Sequence, residues 1–431
     1  MKKLLLILLC LPLLFSCGEE KVYWNVTLEV MVVDVVKELS NNSKDSVFNT
    51  AIANALKAQE DSQDDFTTLF GQEYEKLAPA TNTGLPAIFS SSDLRGKVQF
   101  SSTNQEVIAV LKVEVEDAIS QSVKILRSRI DRFGVKKPNI QRIQGTARIL
   151  IELPGIKDHE RLRKLLQSTG RLEFWETYEY TQLYQGLESA NSYLRETAEA
   201  AIIDEEVIAE KTTETTEGTR DLLVEIESLP NNFEEFATEN PLYALLYPNI
   251  NQQTSQLNTG PVVGFCAVKD TAALNVYLKD DAIRKLFPFR VKFAYTVKPY
   301  DSDGKFVQLV ALQSDRNGKA IMQGDVVKDA NEQINEYSQC EISIEMSQEG
   351  ARQWKRLTRN NIGKSVAIVL DGYVYSYPTV QAEISGGRSS ITGQFSELEG
   401  KDLANIFNSG KLPATVRIIE EEIINPSLVE E

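Results

Sequence analysis

One histidine stands among 431 residues, beside four cysteines and 62 aspartates and glutamates. Those counts bound the chemistry. A Ser-His-Asp triad or a multi-histidine metal site would have to be built on His159 alone. His159 lies between Asp158 and Glu160 in the first turn of a charged helix. A solvated surface histidine is expected there, since a catalytic one needs a positioned partner. Asp301-Ser302-Asp303-Gly304 looks like the start of a calcium loop but lacks the remaining oxygen ligands at EF-hand spacing, so a turn between strands is expected. Gly386-Gly387-Arg388 is glycine-rich, yet no GxxxxGK[ST] or GxGxxG pattern accompanies it, and it too reads as a turn. With carboxylates this abundant, paired acids arise by chance. Glu420-Glu421-Glu422 reads as a solvated strand edge. The chain is therefore expected to be no enzyme and to hold neither metal nor cofactor. Tyr373, Tyr375 and Tyr377 alternate along one strand and are the candidates for contact with a ligand. They could stack on a sugar, grip an apolar polypeptide, or pack across a sheet.

The N-terminus carries the next signal. Lys2 and Lys3 precede an apolar run from Leu4 to Phe15. A membrane span takes roughly 20 apolar residues, so this run is too short to cross and has the length of a signal's apolar core. It ends in Leu14-Phe15-Ser16-Cys17, which resembles a bacterial lipobox. Residues 1–16 read as a signal peptide, Cys17 as the lipid acceptor and residues 17–24 as a tether. An ordinary cleaved signal ending beside a chance cysteine is the alternative. Diacyl or triacyl modification would anchor the protein stably, where one acyl chain would not. The protein is then exported and membrane-anchored, facing the periplasm or the cell surface. Every later apolar run is short and interrupted by charge. Cys10 lies inside the signal, which leaves Cys266 and Cys340 as thiols, either paired or separately buried. The net charge of -16 disfavours binding to nucleic acid or non-specifically to an anionic membrane.

Periodicity gives the elements that must carry these residues. Val26, Leu28 and Val30 alternate with polar residues in a strand from Asn25 to Val33. Residues 40–103 turn polar, with helical pieces at Phe48–Leu56 and Phe66–Leu77, and read as a helical insertion. A long helix follows from about Asn104 to Phe133. Ile119, Val123, Leu126, Ile130 and Phe133 share one face, Ser102 and Gln105 resemble a capping box, and Gly134 is the stop. Strands at Asn139–Ile143 and Ala147–Leu153, a helix at Asp158–Gln167 and a strand at Arg171–Thr177 complete the order βαββαβ, the ferredoxin-like pattern. Tyr178 to Asn240 reads as a helix followed by a mobile acidic linker near 211–219. Pro261–Ala267 and Phe306–Leu312 are strand-like. Ile342, Ile344 and Met346 alternate in a strand, after which Ser347 caps a helix that closes at Gly363. Asp371-Gly372 suits a type I′ turn between Val366–Leu370 and Tyr373–Tyr377. Ser396 with Glu399 caps a further helix, and Ala414–Ile424 is the last strand. The expected class is α+β: a base over 25–178, an inserted α/β head over 179–411, and a return strand within 412–431.

An ordered series of segments resembles the first periplasmic domain of the protein-export factor SecD. Ile125-Leu126-Arg127-Ser128-Arg129-Ile130-Asp131-Arg132-Phe133-Gly134-Val135 is similar to that family's helix-ending motif. Pro138–Gln141, Ile149–Ile156 and Leu172–Phe174 fit its following strands. Glu349–Ala351, Asn361–Lys364, Ala367–Gly372 and Ser385–Gly387 resemble its head, and Ser409–Ala414 with Asn425–Leu428 its return to the base. The early helical insertion looks like the fused SecDF form. The resemblance implies a ferredoxin-like base, a head joined by two crossings, and a role in handling translocated polypeptide. Exported polypeptides, Sec translocon components and the membrane, through the anchor, are the partners it implies. Two features depart from the family. Gly18–Trp24 stands where a membrane helix and a glycine-rich strand are usual, and the family's later membrane helices, with their proton-carrying groups, have no counterpart here. A lipoprotein homologue and a piece of a longer SecD or SecDF chain are both open on this reading, as is a glycan-binding lipoprotein on the same fold. The crossings place a hinge at Tyr178, Gly410 and Pro413, about which the head is expected to move as a unit.

Overall fold

The computed structural model describes residues 23–62, 64–78, 84–90, 94–205, 233–251 and 253–424. Cys17, the linker near 211–219 and the segment Asn425–Leu428 lie outside them. The first elements are β1 (Tyr23–Val30), α1 (Val32–Leu39), α2 (Ser46–Gln59), α3 (Phe66–Leu77), α4 (Leu85–Phe89) and α5 (Asn104–Phe133). Then come β2 (Asn139–Arg142), β3 (Arg148–Pro154), α6 (His159–Gln167), β4 (Leu172–Thr177), α7 (Tyr180–Glu205) and α8 (Phe233–Glu239). The middle holds β5 (Tyr247–Pro248), β6 (Val262–Ala267), α9 (Thr271–Lys279), α10 (Asp281–Arg284), β7 (Val291–Tyr295), β8 (Phe306–Gln313) and β9 (Met322–Gln323). The last are β10 (Val327–Ile334), β11 (Cys340–Met346), α11 (Gln348–Asn360), β12 (Val366–Leu370), β13 (Tyr373–Ser376), β14 (Arg388–Phe395), α12 (Glu397–Ser409) and β15 (Val416–Ile424).

The chain divides into two compact units. One ends at Gln167 and resumes at Pro413; the other runs from Ser168 to Leu412. The boundary is not at residue 178. The first unit holds a four-stranded sheet in the order β15-β1-β3-β2, antiparallel at every pairing. The fourth strand of this sheet is β15, not the segment Leu172–Thr177, because β4 pairs with β12, β8 and β9 of the second unit. Alternation explains the core. Trp24, Val26 and Leu28 of β1 and Ile149, Ile151 and Leu153 of β3 are buried, as are Leu162, Leu165 and Leu166 of α6. The polar stretch 40–103 carries the helices α2, α3 and α4, packed around an aromatic cluster. Phe48 meets the rings of Phe70 and Phe89 edge-on, with centroids 5.6 and 5.9 Å away.

Three local expectations shift. The Val-rich run after Val30 turns into α1 instead of prolonging the strand, with Val33, Val35 and Val36 on its buried side. The capping box of α5 is Thr103 with Glu106, because the Ser102 hydroxyl already accepts from the Gln99 N–H of the preceding turn. Gly134 ends the helix at φ 93°, in the left-handed region. The buried stripe of α5 is broader than expected: it includes Ser122, Ile125 and Arg129, while Val123 and Phe133 are half-buried. Arg129 is fully buried, and its Nη1 donates to the Leu165 carbonyl at 3.0 Å.

The second unit contains a three-stranded sheet, β10-β11-β14, and a larger one. In the larger sheet β8 lies between β7 on one side and β6 with β4 on the other. Just past β7, Thr296 bridges Val374 of β13, and the Val297 N–H donates to the Val374 carbonyl at 3.0 Å. The pairings β4-β8-β7-β13-β12-β4 therefore close a ring. Its filling comes from all five strands: Trp175, Ala294, Val310, Leu312, Ala367, Val369 and Val374 form one buried cluster. A second cluster packs Tyr180, Leu183 and Leu187 of α7 and Leu274 of α9 against Val263, Leu309 and Ala311 on the other side of the sheet. Among the described residues no helix is long and apolar enough to cross a membrane.

Candidate functional site

The tyrosine strand sits on the closed ring, and its register decides what each ring can do. In the β12–β13 pair, Leu370 faces Tyr373 and Val369 faces Val374, but Ile368 faces Ser376. Tyr375 is thus the extra residue of a β-bulge. One inserted residue reverses the alternation beyond it. Tyr377 consequently lies against the ring's interior cluster, and its hydroxyl donates to Gln308 Oε1 at 2.7 Å. Tyr373, before the bulge, is 53% exposed at the hairpin. The three tyrosines therefore do not form one ligand-facing row: Tyr373 is open, Tyr375 and Tyr377 are half-buried. Burial pushes the Tyr375 hydroxyl up to about 12, and that of Tyr377 upward as well, so both stay protonated donors at neutral pH.

The turn before them holds the unit's entry segment. Asp371 and Gly372 have φ 53° and 86°, as a type I′ turn requires. The Asp371 carboxylate accepts from the Ser168 hydroxyl at 2.7 Å, from the Thr169 hydroxyl and from the Arg171 N–H at 2.9 Å. The Arg171 carbonyl in turn accepts from the Asp371 N–H at 3.1 Å. The Leu412 N–H donates to the Thr169 carbonyl at 2.7 Å, which brings the two chain crossings side by side. Sequence reasoning identified the Asp-Gly turn but not this clamp. Its partners lie about 200 residues away, and no spacing rule marks them.

The hinge residues are separated by the structure. Gly410 follows α12 with φ 85° and ψ 175°, a region only glycine occupies readily. Pro413 is the first residue on the far side of the division. Tyr178 is not at a crossing: its N–H donates to the Ala311 carbonyl inside the second unit's sheet, ten residues past the boundary at Ser168.

The remaining reactive residues are dispersed. His159 is half-buried instead of solvated, edge-on to Trp24 with ring centroids 5.2 Å apart. Cys266 and Cys340 are both free and buried. Burial pushes the Cys266 thiol up to about 12 and the Cys340 thiol in the same direction. Asp301 accepts from the N–H groups of Lys305 and Phe306 at 3.0 and 2.7 Å, so its carboxylate closes a turn. Glu421 is not merely solvated. It accepts from the fully buried Trp24 indole at 2.9 Å and from Arg163 at 2.6 Å. Among the described residues no group of three or more His, Cys, Asp or Glu side chains is placed to hold a metal.

Comparison with known proteins gives the family. The model for the SecDF P1 head subdomain matches residues 298–414, and that for the N-terminal part of the SecDF P1 domain matches residues 119–179. The chain is 36% identical over 406 residues to protein translocase subunit SecD of Rhodothermus marinus, a match covering 94% of this chain and 62% of that one. SecD of Endomicrobium trichonymphae is 29% identical over 318 residues, covering 73% and 49%. A crystal structure of SecDF in a super-membrane-facing form is 25% identical, covering 73% of this chain and 29% of that one, with a TM-score of 0.38. The chain thus spans 62% and 49% of the lengths of these two curated relatives. With both parts of that domain matched and a relative 36% identical over 94% of this chain, the chain carries a P1 domain of the SecD family.

Proposed function

We propose that this chain is a protein-translocation module of SecD type that binds exported polypeptide and is not an enzyme. The observation that carries the proposal is the 36% identity to a protein translocase subunit SecD across 94% of the chain. Its partners are then translocating chains and components of the Sec translocon, met on the outer side of a membrane to which Cys17 tethers the protein. The open Tyr373 ring beside the clamped entry segment is the contact we assign to polypeptide; Tyr375 and Tyr377, half-buried, are left a packing role. The first unit acts as a ferredoxin-like base. The order β15-β1-β3-β2, antiparallel throughout, supports this, with β15 taking the place of the fourth strand. The second unit is the head, and the two crossings at Gln167–Ser168 and Leu412–Pro413, the latter close to Gly410, are its hinge. Adjacent crossings constrain rotation less than separated ones would, which supports a mobile head.

A photo-crosslinking residue in place of Tyr373, introduced into the chain in cells, tests the assignment. Secretory proteins arrested in transit should be captured, and capture should fall when export is blocked before translocation begins. Capture that persists unchanged under that block would refute the polypeptide-handling role.

A further inference from the structure

We propose that the loop Arg284–Lys292 of the second unit docks on an anionic lipid bilayer, seating Phe289 and Leu286 in its interface. The loop's exposure is the first observation. Phe289 is 90% exposed and Leu286 39%. Single exposed apolar residues are ordinary, and Phe100 and Tyr337 are also bare; here two exposed apolar side chains lie three positions apart on a loop rich in cations.

Packing and hydrogen bonds on both sides of Phe289 hold it in this exposed position. Phe287 points the opposite way and is buried edge-on to Phe293, with ring centroids 5.3 Å apart. It lies so close to α7 that a Cβ on Gly186 would come within 2.8 Å of its ring. The Val291 N–H donates to the Pro288 carbonyl at 2.9 Å, closing the turn that carries Phe289. Arg290 Nε donates to the Ser314 carbonyl, while the Ser314 N–H and hydroxyl donate back to the Arg290 carbonyl at 2.9 and 3.0 Å. A preorganised loop spends little conformational entropy on docking.

Charge selects the partner. The loop and its neighbour across the Arg290–Ser314 bonds, residues 280–292 and 314–319, hold Arg284, Lys285, Arg290, Lys292, Arg316 and Lys319. Against these stand Asp280, Asp281 and Asp315. Asp280 and Asp315 keep their charge while capping local N–H groups, the Arg284–Asp281 pair is loose at 3.9 Å, and Glu173 lies within electrostatic reach of Lys292, so the cations still outnumber the acids. A basic patch in a chain of net charge -16 stands out. At physiological salt the screening length is about 8 Å, so a docked surface feels this patch and not the whole chain.

Shape separates a bilayer from a polypeptide. Peptide recognition relies on grooves, pockets or a strand edge. Phe289 instead sits on a tight turn and is 90% exposed, so little of the described protein surface surrounds the ring to line a pocket, whereas a deformable interface can close around it. An aromatic ring at headgroup depth with cations around it is the arrangement that anionic lipid favours.

The test uses the chain from residue 18 onward, so that neither the apolar run Leu4–Phe15 nor an acyl group contributes, with vesicles of phosphatidylcholine containing phosphatidylglycerol. Phe289→Trp should show blue-shifted emission, quenched by brominated acyl chains, and pure phosphatidylcholine should give a far weaker response. Arg284→Ala should weaken vesicle binding about fivefold. Phe289→Ser should weaken it roughly tenfold. Tyr337→Ser, at an 82% exposed aromatic on another hairpin, should leave it unchanged. Absence of a Phe289→Trp response on anionic vesicles overturns the proposal, as does an equal loss with Tyr337→Ser. A response to unfolded polypeptide with none to vesicles also overturns it, and reassigns the loop to peptide contact.

Discussion

Asp371 offers the sharpest test of how the second unit's entry segment is held. Its carboxylate receives three well-formed hydrogen bonds, from two hydroxyls and the Arg171 N–H, and a long one of 3.4 Å from the Gly170 N–H. Bonds to a charged acceptor contribute roughly 1.5–3 kcal/mol each when desolvated. Asp371 is half-buried, so about 1 kcal/mol for each of the three good bonds is the defensible figure. The residue also has φ 53°, where alanine costs about 1 kcal/mol more than glycine. Asp371→Ala should therefore destabilise the unit by about 4 kcal/mol and Asp371→Gly by about 3 kcal/mol. Asp371→Asn retains one acceptor and tolerates the dihedral, so about 1–2 kcal/mol is expected. Urea denaturation followed by tryptophan emission resolves these values, since Trp175 and Trp354 both lie in this unit. If Asp371→Gly stays within about 0.5 kcal/mol of the parent, the clamp reasoning is wrong. If alanine and glycine cost the same, the turn does not keep its positive dihedral.

Four further outcomes follow from the same reasoning. Arg163, helped by the Trp24 indole and opposed by partial burial, holds the Glu421 carboxyl below its ordinary 4.5. The bonds it accepts thus stabilise the fold above that value and are lost as pH falls through the depressed one; Glu421→Gln should flatten the first unit's urea midpoint between about pH 6 and about pH 3. Gly410→Val should cost about 1–3 kcal/mol by backbone strain alone, because no atom lies within 4 Å of the added Cβ; an unchanged melting temperature would contradict it. Tyr377→Phe should cost about 1 kcal/mol through the lost Gln308 bond, whereas exposed Tyr373→Phe should be neutral in the same denaturation assay. Peptide-level mass spectrometry after thiol labelling at pH 8 should find Cys266 modified only once urea unfolds the chain.

Local signals in this chain were legible because they are local. The Asp371-Gly372 turn, the Ser396–Glu399 capping box and the Gly134 stop each rest on residues within a few positions of one another. The misplacements were one-residue or long-range effects. The cap of α5 slid from Ser102 to Thr103 because Ser102 had a nearer use. The tyrosine row looked continuous because alternation cannot reveal a bulge, which exists only relative to β12. Chain order groups strand β4 with the strands preceding it, but its partners are β12, β8 and β9. The Phe289 loop reads as an unremarkable aromatic stretch until packing shows that Phe287 is buried and Phe289 is bare.

The pairing of β1 with β15 bears on how such a chain matures. Tyr23 opposes Ile424, so the first described strand is completed by the last. A chain emerging N-terminus first can join β1 to β3 early, but one side of β1 then waits through the interval in which roughly 245 residues of the second unit emerge. Throughout it, the backbone N–H and C=O groups on that side are open to strands of other chains. Newly made molecules are thus most prone to aggregate before the final nine residues of sheet arrive. Holdase protection over that interval, or a slower supply of chain, should govern yield more than the stability of the finished fold does.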